Sequence, residues 1–178
     1  TQWPSSAASD VYKRQTYVNL AEKDKIETII VSSDKDLMQL VSKNVTMLDP
    51  MKNKKIEIKD VEEKFGVKPD KVIFIQALTG DKVDNIPGAP GIGPKTASQL
   101  INEFDDIEGL LNNIDKIKQE KRRNILTDAE KDIRLSLELV TLKNDVKIPE
   151  GIEKIKTYNE LKKENNNIFK FLIEQGFR

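Results

Sequence analysis

The sequence has no cysteine and no histidine among its 178 residues. The first absence excludes disulfides, thiolate zinc sites and a thiol nucleophile. The second removes the usual general base and the commonest transition-metal ligand. There is also no run of about eighteen apolar residues and no secretory signal, so we expect no membrane segment and a cytoplasmic location. Any chemistry must therefore use carboxylates, lysines or metal-bound water.

An excess of charge of either sign is also missing. Lys+Arg and Asp+Glu number 30 each, which gives a formal net charge of zero. Without a global field, binding to nucleic acid or to a membrane surface requires a local patch. The hydrophobic share is 37%, enough for a buried core, and nothing in the sequence argues against a monomer.

The first fifteen residues differ from the rest of the chain. Residues 1–15 show no apolar period and contain the only tryptophan. The stretch SSAASDVYKRQ resembles translated linker sequence, so we interpret 1–15 as a non-native or disordered leader. A regular pattern begins at Thr16, where residues 18–25 resemble the end of a helix.

An α/β pattern follows, and it gives way to helices. The β-branched run 27–33 predicts a buried strand, 45–49 predicts a second strand, and 52–59 predicts a turn with a short edge strand. Helical spacing then predicts the following helices: residues 35–41, 60–65, 69–79, 95–104, 107–112 and one long helix over 119–142. The predicted organisation is a partial α/β domain over 16–67, a helical domain over 68–149 and a C-terminal segment over 150–178.

The segment GAPGIGPKT (88–96) is rich in helix breakers. It fails the Walker A pattern because Pro94 separates Gly93 from Lys95, and it fails the dinucleotide pattern because Thr96 replaces a glycine. It does fit a tight hairpin between two helices, with Pro94 at a helix start and free backbone N–H groups suited to a phosphate. An ordinary glycine-rich turn between helices is the alternative.

Four aspartates form a second group of interest. Asp34 and Asp36 follow the strand 27–33, at the edge where α/β proteins build sites. Asp81 and Asp84 are three residues apart, so one helical turn would bring them to the same side. Oxygen ligands of this kind suit Mg²⁺ or Mn²⁺. The alternatives are that Asp34 caps a helix and that Asp81 stabilises a turn.

Taken together, these motifs resemble the 5′ nuclease (flap endonuclease) superfamily, and within it the 5′–3′ exonuclease domains of bacterial DNA polymerase I. The matching stretches are IETIIVSSDKDLMQLV, ALTGDKVDNIPGAPGIGPKTASQLI and LSLELVTLKNDV. The resemblance implies the C-terminal part of a resolvase-like (PIN-like) α/β domain followed by a helix–three-turn–helix DNA-binding domain. It also implies a longer polymerase chain, a role in DNA replication and repair, and a bacterial, nucleoid-associated setting.

The resemblance carries residue roles as well. It implies metal binding by four residues: Asp34, Asp36, Asp81 and Asp84. It implies contact with the DNA backbone by five others: Gly91, Ile92, Gly93, Lys95 and Thr96. The expected cofactors are two Mg²⁺ or Mn²⁺ ions, with a monovalent cation such as K⁺ at the hairpin, and the expected partner is DNA with a 5′ end or flap.

Two features of the family are missing from this sequence. The acidic motif that stands shortly before the strand 27–33 is replaced by SSAASDVYKRQ, and the arch region that orients the scissile phosphate is absent. We therefore expect a nuclease that is catalytically incomplete as written. The alternatives are a non-catalytic module that binds the DNA backbone and a plain helical interaction domain, but neither needs four aspartates beside a polyanion site.

Overall fold

The computed structural model describes residues 6–142, with side chains from residue 12 onward. Its first helix, α1, spans Ser6–Lys23, so it begins earlier than the sequence analysis places it. Residues 6–15 belong to this helix, although their sequence shows no apolar period. The second half anchors it, since Val18 and Ala21 are 3% and 4% exposed.

A three-stranded sheet follows, made of β1 (Thr28–Val31), β2 (Val45–Asp49) and β3 (Lys54–Ile56) in that order. The pair β1–β2 is parallel and the pair β2–β3 is antiparallel. These strands confirm the predicted strand positions.

The prediction that the first strand is buried is wrong. Only Ile30 of β1 is buried, whereas Ile29 is 64% exposed and Val31 is 57% exposed. In the described part of the chain, β1 pairs only with β2. Its β-branched residues favour the extended strand conformation, but they do not indicate that both faces of the strand are buried.

The rest of the described chain is helical. The α-helices are α2 Ile58–Phe65, α3 Val72–Thr79, α4 Pro94–Phe104, α5 Ile107–Asn112, α6 Glu120–Asp128 and α7 Glu130–Val140. Short 3₁₀ helices span Lys35–Leu40, Pro69–Lys71 and Ile114–Lys116.

The single long helix predicted over 119–142 is two helices, α6 and α7. They meet at Ala129, whose φ of −91° and ψ of 5° lie outside the helical region. The break lets α6 pack against the 3₁₀ helix Ile114–Lys116 while α7 packs along α3. The apolar period continues through the break, which is why the sequence does not reveal it.

One continuous core connects the sheet with the helices. It includes Met47 of β2, Leu78 of α3 and Ile133 of α7, each 0% exposed. In the described residues, no helix combines the length and apolarity needed to cross a bilayer. The predicted break after 142, the last residues of the predicted 68–149 domain and the 150–178 segment lie outside the described residues.

Candidate metal and nucleic-acid site

Asp34 and Asp36 lie at the carboxyl end of β1, where the chain enters a 3₁₀ helix. The Asp34 carboxylate accepts a hydrogen bond from the backbone N–H of Asp36, at 3.0 Å, and so caps this helix. The capping alternative for Asp34 is therefore confirmed. Its Oδ1 performs that role, and the two carboxylates stay beside each other at the sheet edge.

Asp81 and Asp84 lie in the loop that joins α3 to α4, and the prediction that one helical turn carries both is wrong. Gly80 ends α3 with a φ of 65°, and Asp81 then exchanges backbone hydrogen bonds with Ile86, at 2.9 and 2.7 Å. The Asp81 Oδ1 atom also accepts the N–H of Val83, at 2.8 Å, so the turn-stabilising alternative is confirmed. The glycine and the turn together override helical continuation.

All four predicted metal ligands line one cleft of about 890 Å³, which we call the acidic cleft. Its other lining residues include Lys35, Gln76 and Pro94, the last of which is the first residue of α4. Within the described residues, however, no three acidic side chains come close enough together to hold a metal ion. The aspartates thus share a cleft without converging on one point.

Lys35 bridges the two parts of the acidic cleft. Its ammonium forms an ion pair with Asp81 Oδ2, although the two residues are 46 positions apart. The Lys35 hydrogen bond, supported by the N–H of Val83, lowers the pKa of Asp81 from its ordinary value. The same hydrogen bond is the main cause of the raised pKa of Lys35.

Gln76 of α3 contacts one member of the other aspartate pair, Asp36. Its amide Nε2 donates to Asp36 Oδ1, while its Oε1 atom is buried and has no hydrogen-bond partner among the described residues. Burial raises the pKa of Asp36, and the neighbouring negative charge of Asp34 raises it further. A divalent cation would stabilise the charged form of Asp36 and so oppose this rise in pKa. Carboxylate and amide oxygens are the ligands that such a cation prefers. The donor chemistry of the acidic cleft therefore fits Mg²⁺ or Mn²⁺.

The predicted DNA-binding residues lie at the start of α4. Gly91 and Gly93 are exposed, and a Cβ atom added at either would meet no atom of the described residues within 4 Å. Lys95 is exposed and Thr96 is partly exposed, whereas the Ile92 side chain is 5% exposed and packs in the core. Only the backbone of Ile92 is therefore available to a ligand.

The connection around these residues has almost the predicted length, because α3 ends at Thr79 and α4 begins at Pro94, one residue before the predicted start. A buried bond holds the intervening loop, since the N–H of Gly88 donates to Ser136 Oγ at 2.9 Å. In the part of the chain that the structure describes, no side chain caps the N-terminus of α4, which leaves its first N–H groups to other acceptors.

Sequence reasoning missed three residues of this arrangement: Lys35, Gln76 and Ser136. Lys35 stands between Asp34 and Asp36, and Gln76 is the one polar residue in the apolar run VIFIQAL. Both positions are signals that the sequence offers. Ser136 has no such signal, since its role depends on a loop 48 residues away.

Two sequence families match this chain. The N-terminal resolvase-like domain of 5′–3′ exonucleases matches residues 8–66, and their C-terminal SAM fold matches residues 67–164. The chain belongs to the 5′–3′ exonuclease family. The match begins inside the segment 1–15.

Relatives of known name agree with this assignment. A DNA polymerase I of Rhizobium leguminosarum is 56% identical over 131 residues, covering 74% of this chain and 13% of that protein. A 5′–3′ exonuclease of Buchnera aphidicola is 38% identical over 173 residues, covering 94% of this chain and 60% of that protein. The chain thus spans between about an eighth and three fifths of these two relatives.

The fold has a counterpart among solved structures. The flap endonuclease of bacteriophage T5, in a complex with DNA and metal ions, superposes with a TM-score of 0.66 at 23% identity. The match covers 74% of this chain and 49% of the phage protein. The predicted fold class, a partial resolvase-like α/β domain followed by a helical domain, is thereby confirmed.

Proposed function

We propose that this chain provides the DNA-binding surface and part of the metal site of a structure-specific 5′–3′ exonuclease or flap endonuclease. The observation that carries the proposal is the acidic cleft, because four aspartates from two separate segments line it together with the start of α4. Phosphodiester hydrolysis by a metal-dependent enzyme needs carboxylates that bind the metal and a site that binds the phosphate. The four aspartates and the start of α4 provide both in one cleft.

The metal-binding role falls to Asp34, Asp36, Asp81 and Asp84. Their carboxylates would hold Mg²⁺ or Mn²⁺, ions that activate water and stabilise the leaving oxygen when bound. The unpartnered Oε1 atom of Gln76 supports this role, because a buried carbonyl oxygen without a donor is costly unless a cation or water satisfies it. A monovalent cation such as K⁺ at the hairpin is a further part of the proposal.

The DNA-binding role falls to the start of α4. Free N–H groups and the Lys95 ammonium would contact phosphate oxygens, and the open space around Gly91 and Gly93 would admit a DNA backbone. Such contacts do not read bases. That the partner is DNA with a 5′ end or flap is the expectation from the 5′–3′ exonuclease family. We further propose a monomer in the bacterial cytoplasm, within a longer polymerase chain.

A second candidate is a module that binds the DNA backbone without cleaving it. The observation in its favour is that no three carboxylates converge among the described residues. On this basis we expect the chain as written to bind DNA and to show little Mg²⁺-dependent cleavage.

A labelled 5′-flap duplex tests both functions, with binding measured by fluorescence anisotropy over a salt series and cleavage measured with Mg²⁺. Lys95→Ala should reduce the slope of log affinity against log salt by about 1, because one phosphate contact is lost. Lys43→Ala is the matched control, an exposed lysine that does not line the acidic cleft.

The outcomes separate the candidates. Binding without cleavage agrees with the expected incompleteness and favours the DNA-binding module over a complete nuclease. Full-rate cleavage that disappears in Asp81→Asn/Asp84→Asn supports the nuclease and contradicts the expected incompleteness. If the chain neither binds nor cleaves the duplex, the proposed function is wrong.

A further inference from the structure

Lys35 is the residue of the acidic cleft to which neither the sequence motifs nor the proposed nuclease site gives a role. It sits between Asp34 and Asp36 in the sequence, yet its ammonium pairs with neither of them and reaches Asp81 instead. Among the described residues, this is the ion pair that joins the end of β1 to the loop after α3. Its side chain is 52% exposed and that of Asp81 is 16% exposed.

The two oxygens of Asp81 have different partners. Oδ1 accepts backbone N–H groups from Val83 at 2.8 Å and from Asp84 at 3.4 Å, which fixes the loop. Oδ2 accepts the Lys35 ammonium. The oxygen that the backbone leaves free for a cation is therefore the one that Lys35 holds.

The charges around Lys35 also favour its ammonium in the position that a metal ion would need. Asp36 and Asp84 both attract its ammonium in addition to Asp81, so the lysine is the local counter-cation of three of the four aspartates. A divalent cation in the same cleft would be attracted by the same three negative charges, although the carboxylates do not converge on one point in this structure. An ammonium and a metal ion cannot share one carboxylate oxygen without repulsion between them.

We propose that Lys35 is a built-in competitor for the metal site. Its ammonium neutralises Asp81 in the absence of a divalent cation, and it must leave Asp81 Oδ2 when the cation binds. This inference rests on the proposed function, since it assumes that the acidic cleft binds a divalent metal. It adds a residue that weakens metal affinity and that becomes free for another anion once the metal is in place.

Direct titration with Mn²⁺ tests the proposal, with free Mn²⁺ measured by electron paramagnetic resonance at about 0.15 M salt and no DNA present. Lys35→Met keeps the length of the side chain and removes the charge, so it should tighten Mn²⁺ binding about threefold to fivefold, the scale of an exposed ion pair. Lys35→Arg keeps the ion pair and should bind Mn²⁺ like the unaltered chain.

Lys82→Met is the matched control. Lys82 neighbours Asp81 in the sequence and is exposed, and it forms no ion pair among the described residues. Its removal changes the net charge by the same amount, so it reports the general electrostatic effect, which salt screens. We expect a change of less than about twofold. An equal effect of Lys35→Met and Lys82→Met would overturn the proposal.

A nuclear magnetic resonance experiment gives a second readout that does not depend on metal affinity. With ¹⁵N-labelled lysine, the ammonium signal of Lys35 is the one lost in Lys35→Met, and Mg²⁺ should shift it while leaving the Lys82 signal in place. An unmoved Lys35 signal at saturating Mg²⁺ contradicts displacement.

The failure of the proposed function has a different signature. If neither the unaltered chain nor Lys35→Met binds Mn²⁺, the acidic cleft is not a metal site and both proposals are wrong. If the unaltered chain binds Mn²⁺ and Lys35→Met binds it no more tightly than Lys82→Met does, the metal site stands and only the role of Lys35 is wrong.

Discussion

The loop between α3 and α4 has two halves that are built in opposite ways. In the first half, Gly80 and Gly88 pack so closely that a Cβ atom on Gly88 would lie 2.4 Å from the Gly80 nitrogen. In the second half, Gly91 and Gly93 have open surroundings, since no atom of residues 6–142 lies within 4 Å of an added Cβ atom. One pair of glycines is required by internal packing, and the other pair is not.

This difference indicates two separate reasons for glycine in the loop: close internal packing and access for an external partner. The first half carries Asp81 and Asp84, so its tight packing fixes the position of carboxylates in the acidic cleft. The second half leads into the uncapped start of α4, where bare backbone suits the approach of an external partner. Internal packing therefore accounts for the first pair, and the proposed contact with a DNA backbone accounts for Gly93.

Gly88→Ala should have the largest effect. The new Cβ atom would overlap the backbone of Gly80, and the φ of 62° at Gly88 strains any residue with a side chain. We expect a loss of at least about 3 kcal/mol in the free energy of unfolding, measured by urea denaturation. Gly93→Ala is the control and should stay within about 0.5 kcal/mol, because its φ is −91° and its surroundings are open. Equal losses in the two variants would contradict the comparison.

Ser136→Ala should have an intermediate effect on the same half of the loop. Ser136 is 0% exposed, and its hydroxyl accepts the N–H of Gly88. Without it, a buried donor is left unsatisfied, at a cost of about 2 kcal/mol in unfolding free energy. Ser98→Ala is the control, since this partly exposed hydroxyl donates, within the described residues, to the carbonyl of Lys95 in its own helix. An unchanged urea midpoint for Ser136→Ala would mean that the loop does not depend on this bond.

The sequence predicted local structure well where local chemistry decides it. The helix 107–112 was predicted with the bounds that the structure has. The structure shows a local cause for its start, since the Asp106 side chain caps it. The turn chemistry around Pro94 likewise predicted the start of α4 to within one residue. In both cases, the signals lie within a few residues of the feature.

The predictions were wrong where contacts between residues far apart in the sequence determine the local structure. The burial of β1 depends on what covers its second face, and the break at Ala129 depends on which neighbours α6 and α7 meet. The loop position of Asp81 depends on the close packing of Gly80 against Gly88, eight residues later. The candidate site was predictable as a set of residue types, because carboxylates and glycines are visible in the sequence, but the pairing of Lys35 with Asp81 was not.

Gly93→Val should have the smallest effect on the molecule, and it tests the second half of the loop. Valine is compatible with the extended backbone at Gly93, where φ is −91° and ψ is 173°, so the unfolding free energy should change little. If a DNA backbone approaches this point, the added side chain blocks it, and affinity for a 5′-flap duplex should fall about tenfold, or about 1.4 kcal/mol. Gln99→Ala, at an exposed position further along α4, should leave affinity unchanged. Full affinity in Gly93→Val would mean that the open space around the second glycine pair is not a binding surface, and the contrast between the two halves would then concern packing alone.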